Sequence, residues 1–512
     1  MTGWHRLLAI VAASLATMSV HAQSPYDSAF EQAMARYRLP GLAVGIIDHG
    51  KVVYTRTAGE LTAADGRKID ADTLFKIASN SKAMTAALLA RLVDQGKLRW
   101  DDPVVTYLPA FRMYDAKVTA HMQVRDLLVH HSGLGEGAGD LMLWPEPNRF
   151  TRKDIMAGLA YLKPKYDFRA GYAYDNLLYV VAGEVAAAAG HAPYDRLLRK
   201  EIFEPLGMSR CQIGAWRRDE IGNVAQPHEW RDGSPVVVNA DGDTVPDIVS
   251  AAAGGVRCSL HDMLTWAQTW LAPNAAQAAW LSTTQRSAVW TAQTPMPISV
   301  RRRKWDSTHS YAYALGWRLA DVDGQRTVSH TGTLSGMYSA LTLLPDRQAG
   351  FVILINSDAE DARSALNEAL LKSFTQPEQH HSVDEYAKLI DDEKSSSKHA
   401  HAPDVSDHAP AAVSSLKSIL GRWRDPWFGE ISLCPDAGKV RFASDKSPRL
   451  TGIVMRTRER YFVAWDHGNT DAWLEPPTAR QASLRLAKVD PAADFSDDFE
   501  DLDFHRIGKC VP

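Results

Sequence analysis

Cysteine is scarce in this chain, neither sign of charge prevails, and beyond the N-terminal segment no apolar run is long enough to cross a bilayer. Each scarcity excludes something. The four cysteines, Cys211, Cys258, Cys434 and Cys510, include no C-x-x-C pair, which argues against a zinc ribbon and against thiol redox chemistry. Four cysteines allow three pairings. Cys211–Cys258 and Cys434–Cys510 are favoured, because each pair then lies within one proposed domain. Lysine plus arginine number 57 against 61 aspartates and glutamates, for a net charge of -4, so nothing points to nucleic acid or an anionic membrane as partner. The histidines His380, His381, His399, His401 and His408 cluster in polar, linker-like sequence and read as solvated rather than metal-bound. The expectation is therefore no metal and no cofactor.

What is present begins with residues 1–22. Trp4-His5-Arg6, an apolar run from Leu7 to Val20 and Val20-His21-Ala22 before Gln23 have the layout of a secretory signal, too short and wrongly flanked for a spanning helix. A mature chain starting near Gln23, periplasmic or secreted and without a membrane span, is expected. At 512 residues, 45% of them hydrophobic, the chain can bury a large core in two or three units.

Ser79-Asn80-Ser81-Lys82 leads into Ala83–Val93, where Met84, Leu88, Leu89, Leu92 and Val93 recur at helical spacing before Gly96. The pattern predicts a buried helix with the tetrad in its first turn, Ser79 and Lys82 on one face. A serine hydroxyl is inert without a base, and a lysine desolvated in a cleft can supply one. The plain alternative is a capping serine with a solvent-facing lysine. The same spacing recurs at Ser395–Lys398 and Ser414–Lys417, in polar surroundings that suit chance matches in a linker.

Leu42–Ile47 and Val52–Thr57 predict a hairpin, residues 150–215 are mostly helical with Asn176–Ala189 the clearest piece, and residues 215–260 show no period. From Ala312 the period becomes two: Tyr313–Leu319, Thr327–Thr331, Tyr338–Leu344 and Gly350–Ile355 predict a meander, closed by a helix over Asp361–Phe374. Sheet segments at both ends of a helical middle imply an α/β (α+β) unit over 23–375, an antiparallel sheet flanked by helices with an all-helical region, and a site in the cleft between them. Residues 376–416 read as a helix, Val383–Lys394, and a flexible linker. Short strands from Phe428 onward predict a separate, small all-β barrel-like domain over 417–512. Its acidic Asp494–Asp501 run reads as a solvated turn, with a contribution to the cleft as the alternative.

Two further motifs suit acyl transfer. In Tyr174-x-Asn176 a tyrosine near a lysine can relay the serine proton, and the Asn176 amide can meet a substrate carbonyl. In His330-Thr331-Gly332 the glycine admits a substrate backbone at the strand, and the N–H of Thr333 can join that of Ser79 in an oxyanion hole. His131-Ser132-Gly133 has a similar pattern but precedes Tyr174 and sits on a turn, which excludes it as the third motif.

In this order the three motifs resemble the penicillin-binding-protein-like serine hydrolases that include class C β-lactamases. Val124–Gly135 is similar to that family's Leu-Leu-x-His-x-Ser-Gly-Leu segment, and the resemblance spans about residues 25–375. It implies Ser79 as nucleophile, Lys82 and Tyr174 as the acid/base pair, and Asn176 with the His330-Thr331-Gly332 strand as substrate holders. The C-terminal part resembles an uncharacterised β-domain often appended to such hydrolases. Where β-lactamases usually carry lysine in the third motif, this chain has His330, largely neutral above about pH 6.5. Relatives with His-x-Gly look more like D-aminopeptidases and esterases, so the substrate implied is a small-molecule or short-peptide amide or ester rather than an anionic β-lactam. The alternative is a penicillin-binding or sensor protein acylated at Ser79 without efficient turnover.

Overall fold

Alternation along Gly41–Asp48 explains the centre of the molecule. Leu42, Val44 and Ile46 face one cluster of apolar residues and Ala43 and Ile47 face another, so a strand of period two is buried on both sides. The computed structural model describes residues 24–396, 403–458, 460–468 and 470–510. The expected signal segment, Lys398, His399 and His401 lie outside the described residues.

The strand belongs to an eight-stranded antiparallel sheet in the order Lys51–Gly59, Gly41–Asp48, Ala349–Ile355, Met337–Leu344, Gln325–Leu334, Arg318–Val322, Tyr311–Tyr313, Thr294–Pro295. Leu42 pairs with Ile355, and Ala340 with Ile353, which fixes which side chains share a face. One face packs on Pro25–Tyr37, Glu360–Thr375 and Val383–Ser396 through Phe30, Ala365, Leu366 and Tyr386. The other packs on Leu260–Leu271 and the central helix Ser81–Asp94. Each fully buried Leu or Ile on these faces adds roughly 1.5–3 kcal/mol.

Three expectations change here. Tyr313–Leu319 is not one strand: the chain turns between Tyr313 and Arg318, with Gly316 at φ 78 and the indole of Trp317 sunk among Trp266, Trp270 and Trp290. Residues 215–260, which lack a sequence period, form paired short strands, His228–Arg231 with Ser234–Val237 and Trp216–Arg217 with Thr244–Val245. In the segment expected to be a linker, Ala409–Pro410 pairs with Thr451–Thr457 and Val413–Leu416 forms a 3-10 turn.

The C-terminal part is a curled antiparallel sheet of nine strands. A bridge between Leu484 and Phe504 ties its two edges together. It is not set apart from the rest. Trp427, Phe428 and Ile431 belong to the same apolar cluster as the central helix, and Phe150 packs on Phe428 at 5.6 Å between centroids. Lys446 Nζ meets Asp154 Oδ1 at 2.6 Å and Lys165 Nζ meets Asp501 Oδ1 at 3.1 Å. The disulfides are Cys211–Cys258 and Cys434–Cys510. No helix among the described residues is long and apolar enough to cross a membrane.

Candidate active site

Ser79 lies not in the helix but in the 3-10 turn Ala78–Asn80 just before it, and the helix starts at Ser81. Ala78 has φ 49, a left-handed conformation that costs a residue with a Cβ roughly 1–2 kcal/mol. The surroundings hold it there. Asn80 Nδ2 donates to Ser339 Oγ at 2.8 Å, Ser339 Oγ donates to the Ile77 carbonyl at 2.8 Å, and the Val256 N–H donates to Ser81 Oγ at 3.1 Å. A Cβ on Gly332 would stand 2.2 Å from the Ile77 carbonyl, and one on Gly316 would stand 2.7 Å from that of Lys82. These two glycines admit the backbone of the Ala78–Asn80 turn and the central helix, which corrects the expectation that Gly332 is needed for a substrate backbone.

Lys82 is 0% exposed, which rules out the capping serine with a solvent-facing lysine. Its Nζ donates to Ser79 Oγ at 3.1 Å, Asn176 Oδ1 at 2.8 Å and the Ala253 carbonyl at 2.9 Å. It also stands 4.8 Å from the ring centroid of Tyr174 and 5.1 Å from that of Tyr179. All three donor positions of the ammonium thus end on uncharged groups. When two N–H bonds stay on Asn176 and Ala253, the third position can hold either a proton or a lone pair aimed at Ser79.

Asn176 precedes the helix Leu177–Gly190, whose Leu178 N–H is accepted by Asp175 Oδ1 at 3.2 Å. Burial pushes the Asp175 carboxyl up to about 6, although the Ser132 hydroxyl and these helical N–H groups favour its charge. Asn176 Nδ2 donates to Asp140 Oδ2 at 2.8 Å. Tyr174 is nearly buried, its ring 4.3 Å from that of His130, and its hydroxyl makes no hydrogen bond among the described residues. The family-like segment around His130 therefore forms the floor under Tyr174.

The third strand departs from expectation. His330 is 1% exposed; its Nδ1 meets the Thr331 carbonyl at 2.7 Å and its Nε2 meets Tyr313 Oη at 2.8 Å. The carbonyl requires a donor, so Nδ1 carries the proton and Nε2 accepts from Tyr313. Burial, with Arg318 and Lys82 nearby, holds the imidazole well below its ordinary pKa and neutral. Its ring therefore packs within the strand layer instead of reaching a substrate. Two guanidinium groups bring fixed charge to this strand: Arg363, whose Nη1 donates to the Gly332 carbonyl at 2.9 Å, and Arg318, whose Nη1 donates to Thr331 Oγ1 at 2.7 Å and whose buried Nε has no hydrogen-bond partner among the described residues. Thr333 is exposed and its Oγ1 accepts from Arg363 at 2.8 Å.

Sequence reasoning missed Asp140, Arg318 and Ser496. Asp140 Oδ2 also accepts from the Ser496 hydroxyl at 2.8 Å, and its carboxyl is pushed up to about 8 by burial. Only the acidic run around Ser496 left a sequence signal. Neither Asp140 nor Arg318 belongs to a motif. Among the described residues no group of three or more His, Cys, Asp or Glu side chains is arranged to hold a metal.

A helix-covered antiparallel sheet with a helical region on one side of a serine-lysine pair is a mixed α/β, β-lactamase-like fold. The chain belongs to the β-lactamase family, whose profile matches residues 26–374. It is similar to a class C β-lactamase from Rhodobacter sphaeroides, with a TM-score of 0.55 and 21% identity over 68% of this chain and 98% of that one. It is also similar to an octameric penicillin-binding protein homologue from Pyrococcus abyssi, with a TM-score of 0.57 and 19% identity over 94% of this chain and 98% of that one, so both parts of the chain have a counterpart there. Among sequence relatives, an unguisins hydrolase of Aspergillus campestris is 25% identical over 83% of this chain and 81% of its own length. Esterase EstB of Burkholderia gladioli is 32% identical over 43% of this chain and 58% of its own length.

Proposed function

We propose that the protein is an exported serine hydrolase that turns over ester or amide acyl donors through a seryl ester on Ser79. The observation that carries this reading is the Lys82 ammonium, fully buried, 3.1 Å from Ser79 Oγ and surrounded by uncharged acceptors. None of its three hydrogen-bond acceptors is a carboxylate, and a lysine amine beside a serine hydroxyl is placed to act as its general base. Lys82 takes the hydroxyl proton as the Ser79 Oγ–C bond forms at the substrate carbonyl. Tyr174 gives its proton to the departing alcohol or amine as the acyl bond breaks and regains one from Lys82; water then adds to the seryl ester and gives up a proton to the departing Ser79 oxygen, returning free serine and a carboxylic acid.

Two disulfides support an oxidising, exported setting. The similarity to an esterase and to an unguisins hydrolase supports ester or amide substrates. Arg318 alters the substrate expectation drawn from His330. A fixed guanidinium on Thr331 gives this strand the positive charge that a buried neutral histidine withholds, so acyl donors bearing a carboxylate are admitted alongside neutral ones. The test is time-resolved intact mass after addition of a p-nitrophenyl ester or nitrocefin. An adduct on Ser79 that returns to the free mass supports hydrolysis. A persistent adduct favours the penicillin-binding or sensor alternative, and no adduct in the wild type ends both.

A further inference from the structure

The loop that carries Asp494–Asp498, between the strand Arg485–Lys488 and the 3-10 turn Phe499–Asp501 of the C-terminal part, reaches the helical region that holds Asp140 and Tyr174. The Phe495 ring meets that of Tyr174 edge-on at 5.7 Å, and its backbone oxygen lies so close to Gly137 that a Cβ there would be 2.5 Å away. Asp498 Oδ2 accepts the Gly139 N–H at 2.6 Å. Between these anchors Ser496 Oγ donates to Asp140 Oδ2, which also takes the Asn176 amide N–H. The contacts thus run from the C-terminal sheet through Ser496, Asp140 and Asn176 to Lys82 and Ser79.

An asparagine amide has a donor end and an acceptor end, and either can face a neighbour. Because Asp140 accepts from the donor end, the acceptor end is committed to Lys82. We propose that Asp140 and Ser496 are positioning residues that fix the Asn176 amide and through it the Lys82 amine, so that the C-terminal domain is a working part of the catalytic site. This rests on the reading of Ser79 and Lys82 given above.

The charge state of Asp140 matters for the same pair. Asp175, Lys82 and Asp498 are the charged or titratable groups facing it, and Asp498 in turn lies beside Asp501 and Lys165. Held neutral by burial, Asp140 places no anion near Lys82. Once ionised, above about pH 8, it would bring a negative charge to the Asn176 amide that holds Lys82 and so change the field at that contact. The Ser496 hydrogen bond favours the ionised form, so its removal moves that ionisation to higher pH.

The experiment measures kcat and KM for a p-nitrophenyl ester from pH 6 to 10 in the full-length wild type, Ser496→Ala and Ser496→Thr, with fluorophosphonate labelling and melting temperature alongside. Ser496→Ala is expected to lower kcat about ten-fold, leave KM within about two-fold, and move the alkaline limb of kcat upward, with Ser496→Thr restoring both. Asp140→Asn, which keeps a carbonyl acceptor and cannot ionise, is expected to lose the limb near pH 8. Normal labelling of the wild type with unchanged kcat and limb in Ser496→Ala overturns this inference alone. So does a loss of kcat that only follows a lowered melting temperature and leaves the limb unmoved. A wild type that takes no label on Ser79 overturns the earlier reading and this one together.

Discussion

Two lysines among the described residues are almost completely buried, and their pockets have opposite chemistry. Lys82 is 0% exposed and ends on a hydroxyl, an amide oxygen and a backbone carbonyl. Lys372, 1% exposed beneath the other face of the sheet, ends on carboxylates: Asp323 Oδ2 at 2.8 Å and Asp306 Oδ1 at 3.3 Å. Removing one partner of a buried ion pair leaves the other uncompensated and is costly. Lys82 has no such anion within hydrogen-bond reach. The difference separates an ion-paired lysine from one held by neutral dipoles, and it lies in the partners rather than in the degree of burial.

The sharpest way to break the comparison is substitution of each lysine. Lys82→Arg, which keeps the charge but cannot deprotonate near neutral pH, should lower kcat for ester hydrolysis about a thousand-fold and change the melting temperature little. Lys372→Met should do the reverse, costing about 3–5 kcal/mol in denaturant unfolding through its unpaired carboxylates while the folded fraction keeps its specific activity. Equal losses of activity in both variants, per folded molecule, would erase the distinction.

The C-terminal domain provides the next largest effect. Cutting the chain near residue 400 should cost residues 24–396 well over ten-fold in kcat/KM, because Asp140 loses Ser496 and Tyr174 loses Phe495. A truncated protein with full turnover would return the domain to the status of an appendage. Arg318→Gln should then lower kcat/KM for nitrocefin relative to a neutral ester by about ten-fold, the loss of one charge-assisted contact. A ratio left unchanged would show that the guanidinium meets no substrate charge. His330→Lys, in contrast, places an ammonium in a packed, buried pocket and should destabilise the fold before it alters selectivity.

The smallest effect concerns pH and the pocket of Lys372. Burial and the neighbouring Asp306 push the Glu368 carboxyl up to about 8. A carboxyl group whose folded pKa is raised stabilises the fold at pH values below its ordinary range, near 4, and that contribution fades as the pH climbs toward 8. Chemical unfolding from pH 4 to 8 should therefore show a downward slope that Glu368→Gln flattens. An identical slope in the variant would mean that Glu368 is ionised throughout.

What the sequence determined by itself is local. Ser79-x-x-Lys82 stands at the head of an apolar helix, Tyr174-x-Asn176 before another, and His330-Thr331-Gly332 on a period-two strand; the three strands between residues 327 and 355 and the pairing of the cysteines were also legible, because each depends on neighbours in the chain or on one short-range rule. The same alternation also puts His330 and Gly332 on one face of the strand and Thr331 and Thr333 on the other, so one motif residue had to turn inward. Which face that was, only packing decided. The left-handed Ala78, the guanidinium of Arg318 on Thr331, the neutral pocket of Lys82, and the Ser496–Asp140–Asn176 chain all join residues far apart in sequence. Desolvation and hydrogen-bond direction act only where atoms meet in space, and it is those two effects that distinguish Lys82 from Lys372.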